Sequence, residues 1–261
     1  MKSVFYTSVT GPQGGYVHDV SGMQHPDFDF VAVHDSHHQP IPGWESINID
    51  ESYPHDTQQY AHKQRYARML PHLYFSDYEY SVYLDPKWEL TTEFIDLCAA
   101  QVARKKSWLM PTHPDRGNLV QEILFPLCNG SLSLQECFKV IDYLVAKNTD
   151  FSKFFSSLSG WLIRQHNQTN QEIGERWFDL ILNCYDNNVR DQLLLPFAVN
   201  DRSHIDQSLS MGQLYDCGVR MSDPNLHART KQVDWESEIN DLLRYFREKT
   251  GIPTKLYVKP E

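Results

Sequence analysis

The sequence predicts an α/β domain, with a mainly parallel central sheet flanked by helices and a more helical second half. Three observations carry that reading. Runs of β-branched and aromatic residues alternate with helical patterns through the first half, the order that a parallel sheet with crossover helices requires. The 261 residues are 41% hydrophobic, enough for one sizeable core. No internal repeat or low-complexity linker divides them.

The elements follow in order. VFYTSV at 4–9 reads as a strand, closed by the turn residues Thr10, Gly11 and Pro12. FDFVAVHD at 28–35 predicts a second strand ending in an acid, and WESINI at 44–49 a third. A helical pattern from about 56 to 70 stops at Pro71, which cannot continue it. YSVYL at 80–84 is a strand running into Asp85, Pro86 and Lys87. TTEFIDLCAAQVARKK predicts a helix with basic residues in its last turn, where they suit the macrodipole, and SWLM at 107–110 a short strand.

Ser133 and Glu136 have the spacing of a capping box and open a helix to about 147; Thr169 and Glu172 repeat the signal ahead of Trp177. Asp234 is expected to cap a helix to about 250, with Gly251 at the C′ position. Residues 200–233 show weak periodicity, which leaves an active-site loop, a lid or a surface excursion open. The organisation expected is a main domain over 1–200, with a C-terminal extension over 201–261 packed on it.

Composition excludes several functions. A net charge of −10 disfavours a general nucleic-acid binder, which needs a basic face to displace phosphate counterions. Five scattered cysteines without a CxxC pair read as reduced thiols. The N-terminus has no apolar signal-peptide core, and no apolar run reaches membrane-spanning length. These point to a soluble, cytoplasmic chain with no membrane span. There is no GxGxxG, P-loop, HExxH or GxSxG motif.

In open α/β sheets, ligands sit beyond the carboxyl ends of the strands. That makes the strand-end residues Thr10 with Gly11, Asp35 and Asp85 candidates, against the plain alternative of solvated turn formers. HDSHH at 34–38 reads as a polar loop, because adjacent histidines seldom converge on one zinc ion. Arg164 and His166 follow an apolar run, again as a strand end, and Arg190, Asp191 and Gln192 head the apolar segment LLLPF.

Taken in order, YTSVTG, FDFVAVHD, RYARMLPH, YSVYLDPKWEL, HPDRGNLVQE, WLIRQHN, RW and RDQLLLPF resemble a glycosyltransferase-like domain family, first described as a domain of unknown function and known from plant proteins linked to mucilage and pollen-tube growth. The resemblance covers about 4–197. It departs from the family where Asp179 stands near Trp177 in place of a glutamate, and in a longer gap from Trp177 to Arg190.

The resemblance implies a GT-A-like single domain that moves a sugar from a nucleotide-sugar donor to a glycan or other hydroxyl acceptor. Asp191, Asp85 and Arg190 are then the expected catalytic residues. Thr7, Asp35, Arg65, Arg68 and Lys87 are expected around the nucleotide, and His113, Arg116, Glu122, Arg164, His166, Trp177 and Gln192 around the substrates.

Sugar transfer requires the leaving diphosphate to be neutralised, by a metal or by fixed cations. Lys87 stands where many sugar transferases place a second acid. Asp85 is therefore expected either to keep a single contact to Mn2+ or Mg2+, with His204 or His227 as further ligands, or to belong to a metal-free rim. In the second arrangement, which the lysine favours, Lys87, Arg65 and Arg68 neutralise the phosphates. The alternative classes are a non-catalytic carbohydrate- or nucleotide-binding module of the same fold and, less supported, a hydrolase of sugar conjugates.

Overall fold

The computed structural model describes residues 2–12, 17–55, 60–113, 116–184, 191–218, 220–221 and 235–254. Its main sheet has seven strands: β1 (Ser3–Val9), β2 (Phe28–His34), β3 (Glu45–Asn48), β4 (Tyr80–Leu84), β6 (Trp108–Leu109), β7 (Trp161–Gln165) and β8 (Ile205–Asp206). They lie in the order β3-β2-β1-β4-β7-β6-β8. β7 is antiparallel to both its neighbours, and the other pairings are parallel, so six strands share one direction and β7 opposes them. A separate antiparallel pair joins β5 (Trp88–Glu89) to β9 (Arg220–Met221).

The sheet is sandwiched between helices. α1 (Tyr60–Met69) and α5 (Gln168–Cys184) cover one face, packing Ala67, Met69, Ile173 and Trp177 against Val4, Tyr6 and Tyr83. On that side α3 (Leu119–Cys128), α4 (Leu134–Ala146), α6 (Asp191–Ala198) and α8 (Trp235–Thr250) extend the core. α2 (Thr92–Ala103) and α7 (Met211–Asp216) cover the other face, setting Phe94, Cys98 and Leu214 against Phe5, Val82 and Ile163. The part of the chain after 200 shares this architecture: β8 closes one side of the sheet, and α8 buries Leu242 and Phe246 in the same core as β1. Among the described residues, no helix is long and apolar enough to cross a membrane.

Local chemistry explains the element ends. Ser133 and Glu136 form the reciprocal capping box at the start of α4. Gly251 adopts φ +71°, and its N–H donates to the Arg247 carbonyl at the end of α8. The expected Asp234 cap lies outside the described residues. Two readings need correction. α5 is capped by Asn167, whose side chain accepts the Asn170 N–H, so Thr169 sits inside the helix rather than at its cap. The basic run Arg104-Lys105-Lys106 falls past α2, because Arg104 already closes the helix and Lys105 turns left-handed at φ +55°.

Candidate functional site

The parallel strands reverse their order of addition at β1: β2 and β3 lie to one side of it and β4 to the other. The crevice beyond the carboxyl ends of β1 and β4 is therefore the topological switch point, the place where open α/β sheets bind ligands. Asp85 follows β4 directly and stands in it. Its backbone N–H donates to the Gly160 carbonyl at 2.8 Å, which fixes the residue at the rim.

Two acids from distant segments meet there on one arginine. Arg68 reaches up from α1, with Nη2 2.5 Å from Asp191 Oδ2 and Nη1 3.5 Å from Asp85 Oδ1. Asp191 opens α6, where an acid in the first turn is favoured by the helix dipole. Ser159 donates to the same Asp191 oxygen at 2.7 Å, and Tyr83 donates to Asp85 Oδ1 at 2.8 Å. Ser8 lies 3.3 Å from the Tyr83 hydroxyl. Lys87 Nζ stands 3.5 Å from Asp85 Oδ2.

The formal charges of Arg68 and Lys87 thus offset those of Asp85 and Asp191. Burial works against the charge on Arg68, but Asp191, Tyr83 and Asp85 hold its pKa above the usual arginine value. Burial, reinforced by Asp85, keeps the Tyr83 phenol protonated well above its ordinary pKa.

A second buried cluster braces the start of α6. Arg116 Nε is 3.0 Å from Glu122 Oε2, its Nη2 donates to Gln192 Oε1 at 3.3 Å, and its guanidinium lies 4.0 Å over the Phe125 ring. His113 is half-buried in the segment that leaves β6 at this same edge of the sheet. Trp177 is fully buried and donates its indole N–H to the Asp191 carbonyl at 2.8 Å. It holds Asp191 from inside the core, where no sugar ring can stack on it.

Other expected residues fall elsewhere. Arg164 and His166 end β7, and because β7 runs antiparallel, that end lies at the amino edge of the sheet: Gln165 pairs with Tyr80 and Trp161 with Leu84. Five strand residues at about 3.3 Å each put His166 roughly 17 Å from the Asp85 rim. There His166 donates from Nδ1 to the Phe75 carbonyl, while burial and Arg164 lower its pKa to about 4. Because a carbonyl only accepts, the neutral ring at neutral pH carries its proton on Nδ1.

Asp35 has no exposed side-chain surface; its carboxylate accepts the Gly11 and His37 N–H groups and meets the His37 ring, so it ties the β1 and β2 exits together. His38 donates from Nε2 to the Gly11 carbonyl, and His34 from Nδ1 to the Asp35 carbonyl, so each histidine of the loop is engaged within the protein. Thr7 lies on the opposite sheet face from Tyr83 and Asp85, its hydroxyl buried without a hydrogen-bond partner among the described residues. Arg65 sits one turn before Arg68 on α1 and is half-buried. Arg190 and His227 lie outside the described residues.

Among the described residues, Mn2+ or Mg2+ at Asp85 would have to displace a cation already in place. Both of its oxygens already face fixed cations, and among the described residues no three His, Cys, Asp or Glu side chains converge. His204 is bound to Asn170 and near Ser107, which precedes β6 at the amino edge, so it is no partner for Asp85.

Sequence reading missed Ser159, Gly160, Tyr83 and Ser8. The alternation of YSVYLD places Tyr83 and Asp85 on one face of β4, a signal that was available. Ser159 and Gly160 had none, since only the reversed direction of β7 brings the start of that strand to the rim.

No protein-family model matches the chain, and no curated protein matches it. Among solved structures, the apo form of mouse xyloside xylosyltransferase 1 overlaps 79% of this chain and 85% of its own, with a TM-score of 0.45 and 7% identity. An overlap at that level does not identify a fold family.

Proposed function

We propose that the protein is a GT-A-like glycosyltransferase that moves a sugar from a nucleotide donor to a hydroxyl acceptor, at the Asp85–Arg68–Asp191 crevice. The observation that carries this reading is the convergence of two acids and two fixed cations at the switch point, drawn from separate segments of the chain. Departure of a nucleoside diphosphate builds charge on its phosphate oxygens, and preorganised cations stabilise that charge. In this reading Lys87 at the rim and Arg65, one helical turn from Arg68, receive the phosphates. Asp85, steadied by Tyr83, accepts a hydroxyl of the ribose or of the donor sugar. Asp191 orients the reacting sugar or the acceptor hydroxyl. Arg68 keeps the two carboxylates at fixed separation and neutralises their repulsion.

One observation favours a second reading, a carbohydrate- or nucleotide-binding module without turnover. Asp191 Oδ2 already takes two donors and Asp85 three cationic or hydroxyl contacts, so these carboxylate oxygens are engaged by the protein itself. Donor consumption measured with and without a panel of sugar acceptors separates the readings. Transfer requires acceptor-dependent release of nucleoside diphosphate; acceptor-independent release indicates hydrolysis; binding without release indicates the module.

A further inference from the structure

We propose that Arg164 and Tyr6 are positioning residues that act through the backbone of Arg68 to hold its guanidinium between Asp85 and Asp191. The inference rests on the reading of that crevice given above, but its geometry stands independently of the substrate.

The last carbonyls of a helix have no partner within the helix. In α1 these include the Arg68 and Met69 carbonyls, and both are met by one side chain: Arg164 donates from Nη1 to Met69 O at 3.2 Å and from Nη2 to Arg68 O. Tyr6 donates to the same Arg68 carbonyl at 3.1 Å and accepts from Arg164 Nη2 at 2.7 Å. α5 closes the third side, because a Cβ on Gly174 would collide with Met69 O. The end of α1 is therefore clasped by β1, β7 and α5 at the residue whose side chain bridges the two acids.

The cation at this clasp is costly. Arg164 is 2% exposed, and among the described residues it pairs with no carboxylate and its buried Nε has no hydrogen-bond partner. A buried charge of this kind usually stabilises less than a well-packed apolar side chain would, so stability alone does not explain it. What a guanidinium supplies that an apolar residue lacks is a planar fork matched to two adjacent carbonyls. Helical side chains point toward the helix N-terminus, so Arg68 extends from this anchored backbone up to the rim. A shift of about 1 Å at the anchor would take Arg68 out of contact with Asp191.

The test uses the full chain, with Tyr6→Phe and Arg164→Lys compared with the parent. The first readout is NMR hydrogen exchange of the Arg68 guanidinium protons, assigned by their loss in Arg68→Lys; it needs no ligand. The second is the split of donor turnover into kcat and KM. Arg68 protons should exchange about tenfold faster or more in Tyr6→Phe, whose only lost groups are hydrogen bonds. The same variant should lower kcat about tenfold with KM nearly constant wherever the parent turns a donor over. Arg164→Lys should show the larger change; if it does not fold, Tyr6→Phe decides alone. Unchanged Arg68 exchange in Tyr6→Phe overturns the proposal, whatever happens to melting temperature or kcat. A parent that turns over no donor removes the proposed function, while the exchange rates still decide whether Tyr6 and Arg164 position Arg68.

Discussion

Arg68 Nη2 and Asp191 Oδ2 stand 2.5 Å apart across 123 positions of sequence, and the same guanidinium touches Asp85. The pair is what joins the start of α6 to the carboxyl end of β4. Removing Arg68 strands two mostly buried carboxylates side by side. Arg68→Met is expected to lower unfolding free energy by about 3 kcal/mol or more, the usual cost of breaking a buried pair from one side. Urea unfolding measures it, and a loss below about 1 kcal/mol would show that the acids do not depend on the arginine.

Gly160 packs against Asp85 with no room for a side chain. An added Cβ would sit 2.8 Å from Asp85 Oδ2 and 3.3 Å from Trp88 Nε1. Gly160→Ala should therefore displace the carboxylate, weakening diphosphate binding about tenfold while costing about 1–2 kcal/mol of stability. Parental affinity in this variant, measured by calorimetry, would mean that Asp85 is not part of the binding rim.

Trp177 distinguishes a core role from a sugar platform. Trp177→Phe loses the indole bond to the Asp191 carbonyl and some core volume, so stability should drop by about 2 kcal/mol. Because the ring is fully buried, the KM for acceptor should not rise. A raised acceptor KM with unchanged stability would restore the stacking role.

His166 gives a pH signature. Its folded pKa is near 4, below the unfolded value of about 6.5, so the unfolded chain binds more protons between those limits. Stability from this group is fully present above about pH 6.5 and declines as pH falls toward 4, by up to about 3 kcal/mol in total. His72, whose pKa is lowered by burial, adds in the same direction. His166→Gln should flatten the slope of unfolding free energy between pH 6.5 and 4; an unaltered slope would assign it to other groups.

Much of the fold was legible because short-range chemistry determines it. The strand ends at Thr10, Asp35 and Asp85, the Ser133 capping box and the Gly251 cap are all local patterns. The site was legible only in part. Asp85, Arg68, Lys87 and Asp191 do converge, whereas Arg164 and His166, read as a strand end like the others, stand at the far edge. Alternation reveals a strand but carries no information about its direction, and β7 is the strand that runs backwards. The same reversal delivers Ser159 and Gly160 to the rim from an unremarkable SLSG stretch. Trp177 shows a related limit: a tryptophan on a helix is more often core, but a sugar platform stays open until its neighbours are known.

The account of the site rests on whether Asp85, Pro86 and Lys87 form a diphosphate rim that works with fixed cations. Calorimetric binding of a nucleoside-diphosphate panel to the parent protein and to Lys87→Ala, each with chelator, with manganese and with magnesium, answers that question. One diphosphate should bind the parent in chelator, and Lys87→Ala should weaken it about tenfold or more. Binding that appears only with metal and survives Lys87→Ala, or no binding by any member of the panel, would contradict the rim.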